Sequence, residues 1–424
     1  VGPKNDIRAE AIHLDWPNGP RFRLVAEGSS HDVSIRLIGE HGVRAALGGF
    51  AIGTTEFAAM SLLPFYAADF AVTEPVAAHA VSAYALGVVV GAPILGLFGA
   101  SWPRRRLLVV LMVLIAMGNA ATVWAPTYHT LLAFRFLSGL PHGAYFGVAA
   151  LLAASLLPEK RAAAASYVMA GLAVATVIGA PFANWLGLHV GWRVVFGGVS
   201  GIALTTAIAL LILAPRQPVE VGRSMRREMH ALAHPQVLLT LGAGAVGFGG
   251  LFAVYSFLAP VLTEYTGATP ASVPWVFAIF GLGILVGNLL GGWIADISLK
   301  AAAIGLLAWS AVFLAAFTFA ATNFWLLSLV CFAIGMGGGL GPILQVRLMD
   351  VAGEAQTMAA ALHHAAFNIA NALGPWLAGL AITAGMGWTA PGWVGLCLAV
   401  GGILILCVAF KLERHRERSA LTAS

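Results

Sequence analysis

Charge is what this sequence has least of. Asp, Glu, Lys and Arg together make up 10% of its 424 residues, where a water-soluble domain carries roughly 25%. Water is therefore the wrong solvent for most of its surface. Cysteine is almost missing too. Cys331, Cys397 and Cys407 all sit in apolar runs, which argues against a disulfide framework or thiolate metal site and predicts buried small hydrophobes. No Gly-rich phosphate loop with its Lys-Ser/Thr occurs, which excludes transport driven by ATP on this chain. No nucleophile–base pair and no metal-ligand spacing points to an enzyme. A cleavable signal is not expected either, because about forty mostly polar residues precede the first apolar run. That run is expected to serve as an uncleaved insertion signal.

What is present is apolar. Hydrophobic residues make up 59% of the chain and the mean hydropathy is +0.87. A bilayer core of about 30 Å takes roughly 20 mostly apolar residues per helical crossing. Such stretches fall at 43–66, 80–99, 107–125, 129–156, 162–185 and 194–214, then at 236–262, 273–295, 301–321, 323–346, 357–384 and 391–411. The expectation is an all-α membrane protein of twelve transmembrane helices. Its 50 glycines would weaken soluble helices, but in lipid small residues let helix backbones approach closely. Trp124, Trp192, Trp325 and Trp388 fall at one set of helix ends and Trp102 and Trp293 at the other, the interfacial levels that Trp prefers.

A pI near 9.3 raises the question of nucleic acid, but the distribution of charge answers it. With loops assigned to alternating sides, every Lys and Arg except Arg135 and Arg193 falls on one side. These are Arg104 to Arg106, Lys160, Arg161, the Arg216 to Arg227 loop, Lys300, Arg347, the tail from Lys411, and Lys4 to Arg44 at the start. This is the positive-inside bias of membrane proteins, so both termini are expected in the cytoplasm. Residues 1–42 form a cytoplasmic extension, in which Arg21 to Glu27 and Asp32 to Ile38 alternate weakly around Gly28. A hairpin or a disordered segment is open there. Residues 43–214 and 236–411 are expected as two six-helix bundles, with 215–235 as a central cytoplasmic loop and 412–424 as a cytoplasmic tail.

An internal repeat supports that division. Gly87-Val-Val-Val-Gly91 is answered by Gly283-Ile-Leu-Val-Gly287, an interval of 196 residues, which also carries Pro64 to Pro260, Gly96 to Gly292, Gly139 to Gly335 and Gly143 to Gly339. An even number of crossings per unit gives the two halves one orientation and a pseudo-two-fold relation. Parallel repeats of this kind place a substrate site near the midplane, between the halves.

Four segments carry a resemblance: Gly53-Thr-Thr-Glu-Phe57, Arg135-Phe-Leu-Ser-Gly-Leu-Pro-His-Gly-Ala144, Gly179-Ala-Pro-Phe-Ala-Asn-Trp-Leu-Gly187 and His363-His-Ala-Ala-Phe-Asn-Ile-Ala-Asn-Ala-Leu-Gly374. From about residue 43 to 411 the chain resembles the major facilitator superfamily. Within it the match is to the twelve-span drug/proton antiporters and their bacterial arabinose-efflux-permease-like subgroup of sugar, purine and drug exporters. The resemblance implies a proton-coupled exporter in a bacterial inner membrane, working as a monomer without a cofactor. It also implies an antiporter motif around Gly171, Gly179, Pro181 and Gly187. One signature departs from the family pattern. The acid of its loop after the second span is Ala100 here, ahead of Arg104, Arg105 and Arg106, while the repeat counterpart Asp296 keeps it. The first-half version of that inner gate therefore lacks its carboxylate.

Glu56 is the only acid deep inside any span, roughly 18 Å from the inner end at 1.5 Å per residue. A carboxylate there is expensive unless paired or neutralised, and burial favours its neutral form, as a reversible proton carrier requires. A structural acid locked to a neighbour is the alternative. Arg135, the only cation within a span, is the expected counter-charge, directly or through a polar bridge. The resemblance assigns it to tuning proton release or substrate binding.

Ser138, His142 and Tyr145 follow Arg135 on one helical face, expected to line the cavity. An ordinary imidazole titrates near pH 6.5, so His142 as proton relay and as hydrogen-bonded neighbour are both open. His363 and His364 are expected near the inner end. Asn368 and Asn371, one turn apart, either bind substrate or join helices. Phe57, Met60, Tyr84 and Tyr255 are an adaptable wall or plain packing residues.

The expected function is export of a small organic molecule (sugar, nucleoside or drug) in exchange for protons, by alternating access. An uptake symporter or facilitator of a sugar or nucleoside is one alternative. A non-transporting sensor signalling through residues 1–42 is another. The expected partners are substrate, protons and lipid, with no nucleic acid.

Overall fold

A computed structural model describes residues 8–15, 19–26, 29–34, 40–99, 102–156, 169, 171–214, 234–352 and 356–423. Lys160, Arg161, the Arg216 to Arg227 loop and Ala100 lie outside the described residues, as does the side chain of Asp296. The chain opens with a small antiparallel sheet, β1 (Arg8–Asp15), β2 (Gly19–Ala26) and β3 (Ser29–Ser34), in the order β1-β2-β3. The β2–β3 hairpin closes at Ala26 and Ser29, and the register of β1 slips between Glu10 and His13. Of the two readings open for residues 1–42 the hairpin is the one found, and β1 is a further strand that weak alternation did not reveal.

Everything described from Glu40 onward is helical or a short turn between helices. The first half comprises α1 (Glu40–Ser61), α2 (Leu63–Asp69), α3 (Glu74–Ala77), α4 (His79–Gly99), α5 (Arg104–Val123), α6 (Tyr128–Leu156), α7 (Ala180–His189) and α8 (Trp192–Leu213). A π-helical turn, Ala175–Gly179, leads into α7. The second half comprises α9 (Pro235–Gly247), α10 (Gly249–Pro260), α11 (Val273–Ala320), α12 (Phe324–Met336), α13 (Leu340–Val351), α14 (Gln356–Ala381) and α15 (Ala390–Ala423). Local chemistry sets several of these ends. Asn323 caps α12 by accepting from the backbone N–H of Trp325 and Leu326 at 3.1 and 3.0 Å. The long α11 breaks at Ser298 (φ −159°, ψ 104°), whose hydroxyl accepts from the N–H of Ala301 at 3.4 Å and starts the second segment. The tail expected after residue 411 is helical, continuing α15 to Ala423.

Ten helical stretches among the described residues are long and apolar enough to cross a membrane. Their outer surfaces match that solvent: Phe319 and Ile212 are 73% and 70% exposed, which water would penalise and acyl chains do not. Cys397 and Cys407 are likewise exposed, and only Cys331 is buried. The expectation of three buried thiols fails because a membrane helix is apolar on both faces, so an apolar run does not distinguish inside from lipid.

The repeat has a structural counterpart. In α4, a Cβ on Gly87 would collide with the carbonyl oxygen of Phe136 in α6; in α11, one on Gly283 would collide with that of Phe332 in α12. Both contacting pairs stand 196 residues apart, so the same glycine-mediated approach of helix backbones is built twice. At the α2 end, Arg193 pairs with Asp69 and donates to the carbonyl of Ala125 at 3.2 Å. That explains one of the two cations outside the positive-inside pattern. Trp192 donates to Asp69 at 3.3 Å and is only 4% exposed, whereas Trp124 is 81% exposed. Trp192 is thus a packing residue at a helix end, stacked edge-on against Tyr66.

Candidate functional site

Glu56 lies in the C-terminal third of α1 at 2% exposure. A buried carboxyl needs hydrogen-bond donors, and it finds one on the far half of the chain. Nδ2 of Asn371 in α14 donates to its Oε1 at 2.7 Å. Asn371 is itself buried, and its Oδ1 has no hydrogen-bond partner in the protein.

Arg135, 1% exposed, stands one peptide away. Its Nη2 donates to the carbonyl oxygen of Thr55 at 3.3 Å, and its guanidinium lies over the rings of Tyr84 at 4.4 Å and Phe196 at 5.1 Å. These aromatic faces take up part of its charge. Nε and Nη1 have no partner in the protein. No ion pair joins Arg135 to Glu56: the arginine reaches the backbone of α1 from the α4–α6 side while the carboxyl turns to α14. The expected counter-charge is therefore near Glu56 but not in contact with it.

The remaining residues of the Arg135 face separate. Ser138 donates to the carbonyl of Arg135 in its own helix at 2.9 Å and packs where a Cβ on Gly118 of α5 would fall, so it faces α5 and not a cavity. His142 Nδ1 is 2.9 Å from the hydroxyl of Tyr84. The hydroxyl of Tyr145 lies against Gly48 of α1 and has no partner. One turn on from His142, Phe146 stacks on His364 of α14, ring centroids 5.0 Å apart and nearly parallel at 11°. His363 meets His364 edge-on at 5.8 Å. Asn368 donates to the carbonyl of His364 at 3.0 Å, its Oδ1 unpartnered.

Phe57 turns the other way from α1, into rings of the second half. It meets Tyr255 edge-on at 5.3 Å and Phe252 at 6.4 Å, and Tyr255 continues to Phe277 and Phe280. Met60 joins the same apolar cluster. The structure thus brings Glu56, Phe57, Asn371 and Tyr255 together along the seam of α1, α10 and α14, with Arg135 on the backbone of α1 at Thr55 and Asn368 one turn from Asn371 on α14.

The segment resembling an antiporter motif is packed along α1. Gly179 sits against Thr54 and Gly187 against Leu62; Gly171 is buried and Pro181 partly so. Asn184 donates to the carbonyl of Ser61 at 2.6 Å. Of the three loop arginines, Arg105 hydrogen-bonds the carbonyl of Leu211 in the last turn of α8, which is a capping contact within the first half. Arg104 and Arg106 begin α5 beside it. No group of three or more His, Cys, Asp or Glu able to hold a metal occurs among the described residues.

Sequence reasoning missed three contacts. Ser82 of α4 donates to the carbonyl of Ala372 in α14 at 3.0 Å. The carbonyl of Thr176, in the π-helical turn, is where a Cβ on Gly281 of α11 would fall. Backbone carbonyls leave no residue-type signal, so only the repeat interval linking 176 to 372 could have paired them. The third is a charge cluster at the ends of α9, α13 and α15. Arg347, 3% exposed, donates to Gln236 at 3.0 Å and to Glu413 at 3.2 Å, and Lys300 is 3.2 Å from the same carboxylate.

Comparison with known proteins agrees with this architecture. The model of the Major Facilitator Superfamily matches residues 45–262 and again 240–423. The chain is 36% identical to the inner membrane transport protein YdhP of Escherichia coli K12 over 375 residues, 88% of this chain and 96% of that one. It is 32% identical to a chloramphenicol resistance protein of Streptomyces lividans over 374 residues, covering 86% and 93%. With the putative transporter AraJ of Escherichia coli K12 it shares 30% identity over 380 residues, covering 88% and 95%. The family model and these relatives indicate a multi-pass membrane transporter rather than an enzyme. The chain belongs to the Major Facilitator Superfamily.

Proposed function

We propose that this protein is a proton-coupled exporter of small organic molecules in a bacterial inner membrane, working by alternating access. Two further spans, α1 and α6, complete the ten apolar stretches to twelve; Glu56, Arg135 and His142 lower the hydropathy of these two helices. The twelve form two like-oriented bundles, 43–214 and 236–411, with both termini in the cytoplasm.

The observation that carries this proposal is the hydrogen bond from Asn371 to Glu56. It links the acid of α1 to α14 in the other half of the chain, which supports a site where a change in protonation alters a contact between the halves. A carboxylate accepts that bond more strongly than a carboxylic acid does. Substrate and proton that compete for one acid are negatively linked, which is the requirement for exchange. The direction rests on similarity: one relative is named a chloramphenicol resistance protein and another, from Helicobacter pylori, a probable sugar efflux transporter.

In proteoliposomes loaded with a pH-sensitive dye, substrate addition should move protons with wild type and not with Glu56→Gln. Proton movement of wild-type size in the variant would remove Glu56 from the mechanism. Energised everted vesicles compared with whole cells give the direction: accumulation in the everted vesicles means export, and accumulation in cells means uptake.

A further inference from the structure

The charges at the centre of the molecule balance, and the balance selects among substrates. Among the described residues the buried charged side chains are Glu56, Arg135 and Arg347. Arg347 is answered by Glu413, away from the centre. That leaves one acid and one base side by side, with Arg135 bonded to the carbonyl of the residue before Glu56. The imidazoles of His142, His363 and His364 add no negative charge in either protonation state. The other described residues named at the seam are neutral: Asn371, Tyr255 and Phe57, with Asn368 one turn along α14.

An organic cation entering this seam finds no negative charge that is not already countered. It would leave water for a site of net charge zero or above, with Arg135 repelling it, and a desolvated charge without a partner is strongly disfavoured. An uncharged molecule meets the opposite situation. Asn371 shows how a neutral N–H sits on Glu56, at 2.7 Å, and a substrate O–H or N–H can take that place. The hydroxyl of Tyr255, the Oδ1 of Asn368 and Asn371, and the Nε and Nη1 of Arg135 have no protein partners. They offer further donors and acceptors. Phe57 and Tyr255, crossing edge-on, supply the apolar wall that such sites use for a ring.

Resting on the proposed role of the Glu56 seam as the transport site, we infer that the substrate is an uncharged molecule carrying an O–H or N–H donor beside a ring. The charge of Arg135 excludes permanent organic cations. A donor prefers the carboxylate to the carboxylic acid, so an uncharged substrate competes with the proton without carrying charge itself.

The test is direct binding to the purified full chain, using radiolabelled tetraphenylphosphonium as the cation and chloramphenicol and thymidine as uncharged probes. Wild type should bind at least one uncharged probe and not the cation. Asn371→Asp and Arg135→Gln each lower the central charge by one from different helices. Both should bind tetraphenylphosphonium about tenfold or more tighter than wild type, while Arg135→Lys, which keeps the charge, should not. Wild-type binding of tetraphenylphosphonium as tight as that of the charge-lowering variants would overturn the inference, and needs neither variant to fold if it exceeds that of the uncharged probes. The readout is binding alone, so it is separate from the proton-flux test: lost proton coupling with the binding pattern intact would sink the exporter proposal and leave the substrate class standing.

Discussion

Ser82 in α4 donates its hydroxyl to the carbonyl of Ala372 in α14 at 3.0 Å, joining two helices from opposite halves of the chain. The carbonyl of Thr176, the repeat counterpart of Ala372 at an interval of 196 residues, is covered by Gly281 of α11. Each half thus presents one backbone carbonyl to the other, met in one case by a hydroxyl and in the other by a bare glycine. Pro75 beside Gly379 continues the first contact towards the α2 end. In the proposed orientation this is the outer side, and we propose that the two carbonyl contacts hold it closed.

Gly281→Val follows from that geometry. A Cβ there would overlap the Thr176 carbonyl, which is backbone and cannot step aside as a side chain would. Closure of the outer side should fail while each half still folds. Transport should fall about tenfold or more, since a barrier of about 1.4 kcal/mol suffices for that. In a background without the three natural cysteines, Ala372→Cys should react faster with a membrane-impermeant maleimide from outside. Unchanged transport and unchanged labelling would show that the contact is incidental.

The two glycines at the matched helix crossings should respond alike. Gly87→Ala and Gly283→Ala both drive a methyl into a backbone carbonyl, of Phe136 and Phe332 respectively. Overpacking of this kind costs about 1–3 kcal/mol. Thermal melting in detergent should show similar losses for the two variants and near-additive loss in the double variant, because the crossings share no residue. A loss at one position only would mean that the two halves do not rely on the same contact.

How far the sequence discloses this molecule depends on which residues carry the signal. Helix positions are legible because bilayer thickness forces runs of about twenty apolar residues, and the observed α4, α5 and α6 begin and end close to where those runs do. Glu56 is legible because an acid in such a run has few reasons to exist. Its partner was not: Asn371 was one of several polar residues on α14, and nothing in residue type says which of two asparagines, one turn apart, meets an acid 315 positions earlier. Ser138 shows the reverse error. Its offset from Arg135 puts it on a polar face, but a helix face can be polar and still turn to a neighbouring helix, here at Gly118. The burial of Arg347 escaped for the same reason. The positive-inside rule places a cation on a side of the membrane and is silent on whether it is solvated.

Tryptophans at helix ends give a direct check on that limit. Trp192→Ala should cost about 3–5 kcal/mol, the usual range for emptying a buried aromatic site, because Trp192 supports Tyr66 and Phe196. Trp124→Ala, at 81% exposure, should cost under about 1 kcal/mol. Melting in detergent separates them. Equal losses would place Trp192 at the lipid interface instead, as its position in the sequence alone suggests.

The cluster around Arg347 yields the prediction with the most discriminating sign. Arg347 is buried and Glu413 is 26% exposed on its side chain, so their attraction is partly screened by solvent. Glu413→Gln leaves the guanidinium buried without its countercharge, beside the Gln236 side-chain Oε1 and the face of Phe410 at 4.5 Å, with Lys300 also deprived of that carboxylate. Removing one partner of a buried pair costs about 3–5 kcal/mol, and solvent access to Glu413 brings the expectation down to about 1–3 kcal/mol. Arg347→Met removes the charge that needed answering and fills the same space with an apolar chain, so it should cost less than Glu413→Gln. In the double variant the Met substitution should recover part of the loss, a non-additive result that a melting cycle in detergent reads directly. If Arg347→Met were the more damaging single change, the arginine would be stabilising the α9–α13–α15 junction through its own hydrogen bonds, and the carboxylate would be secondary.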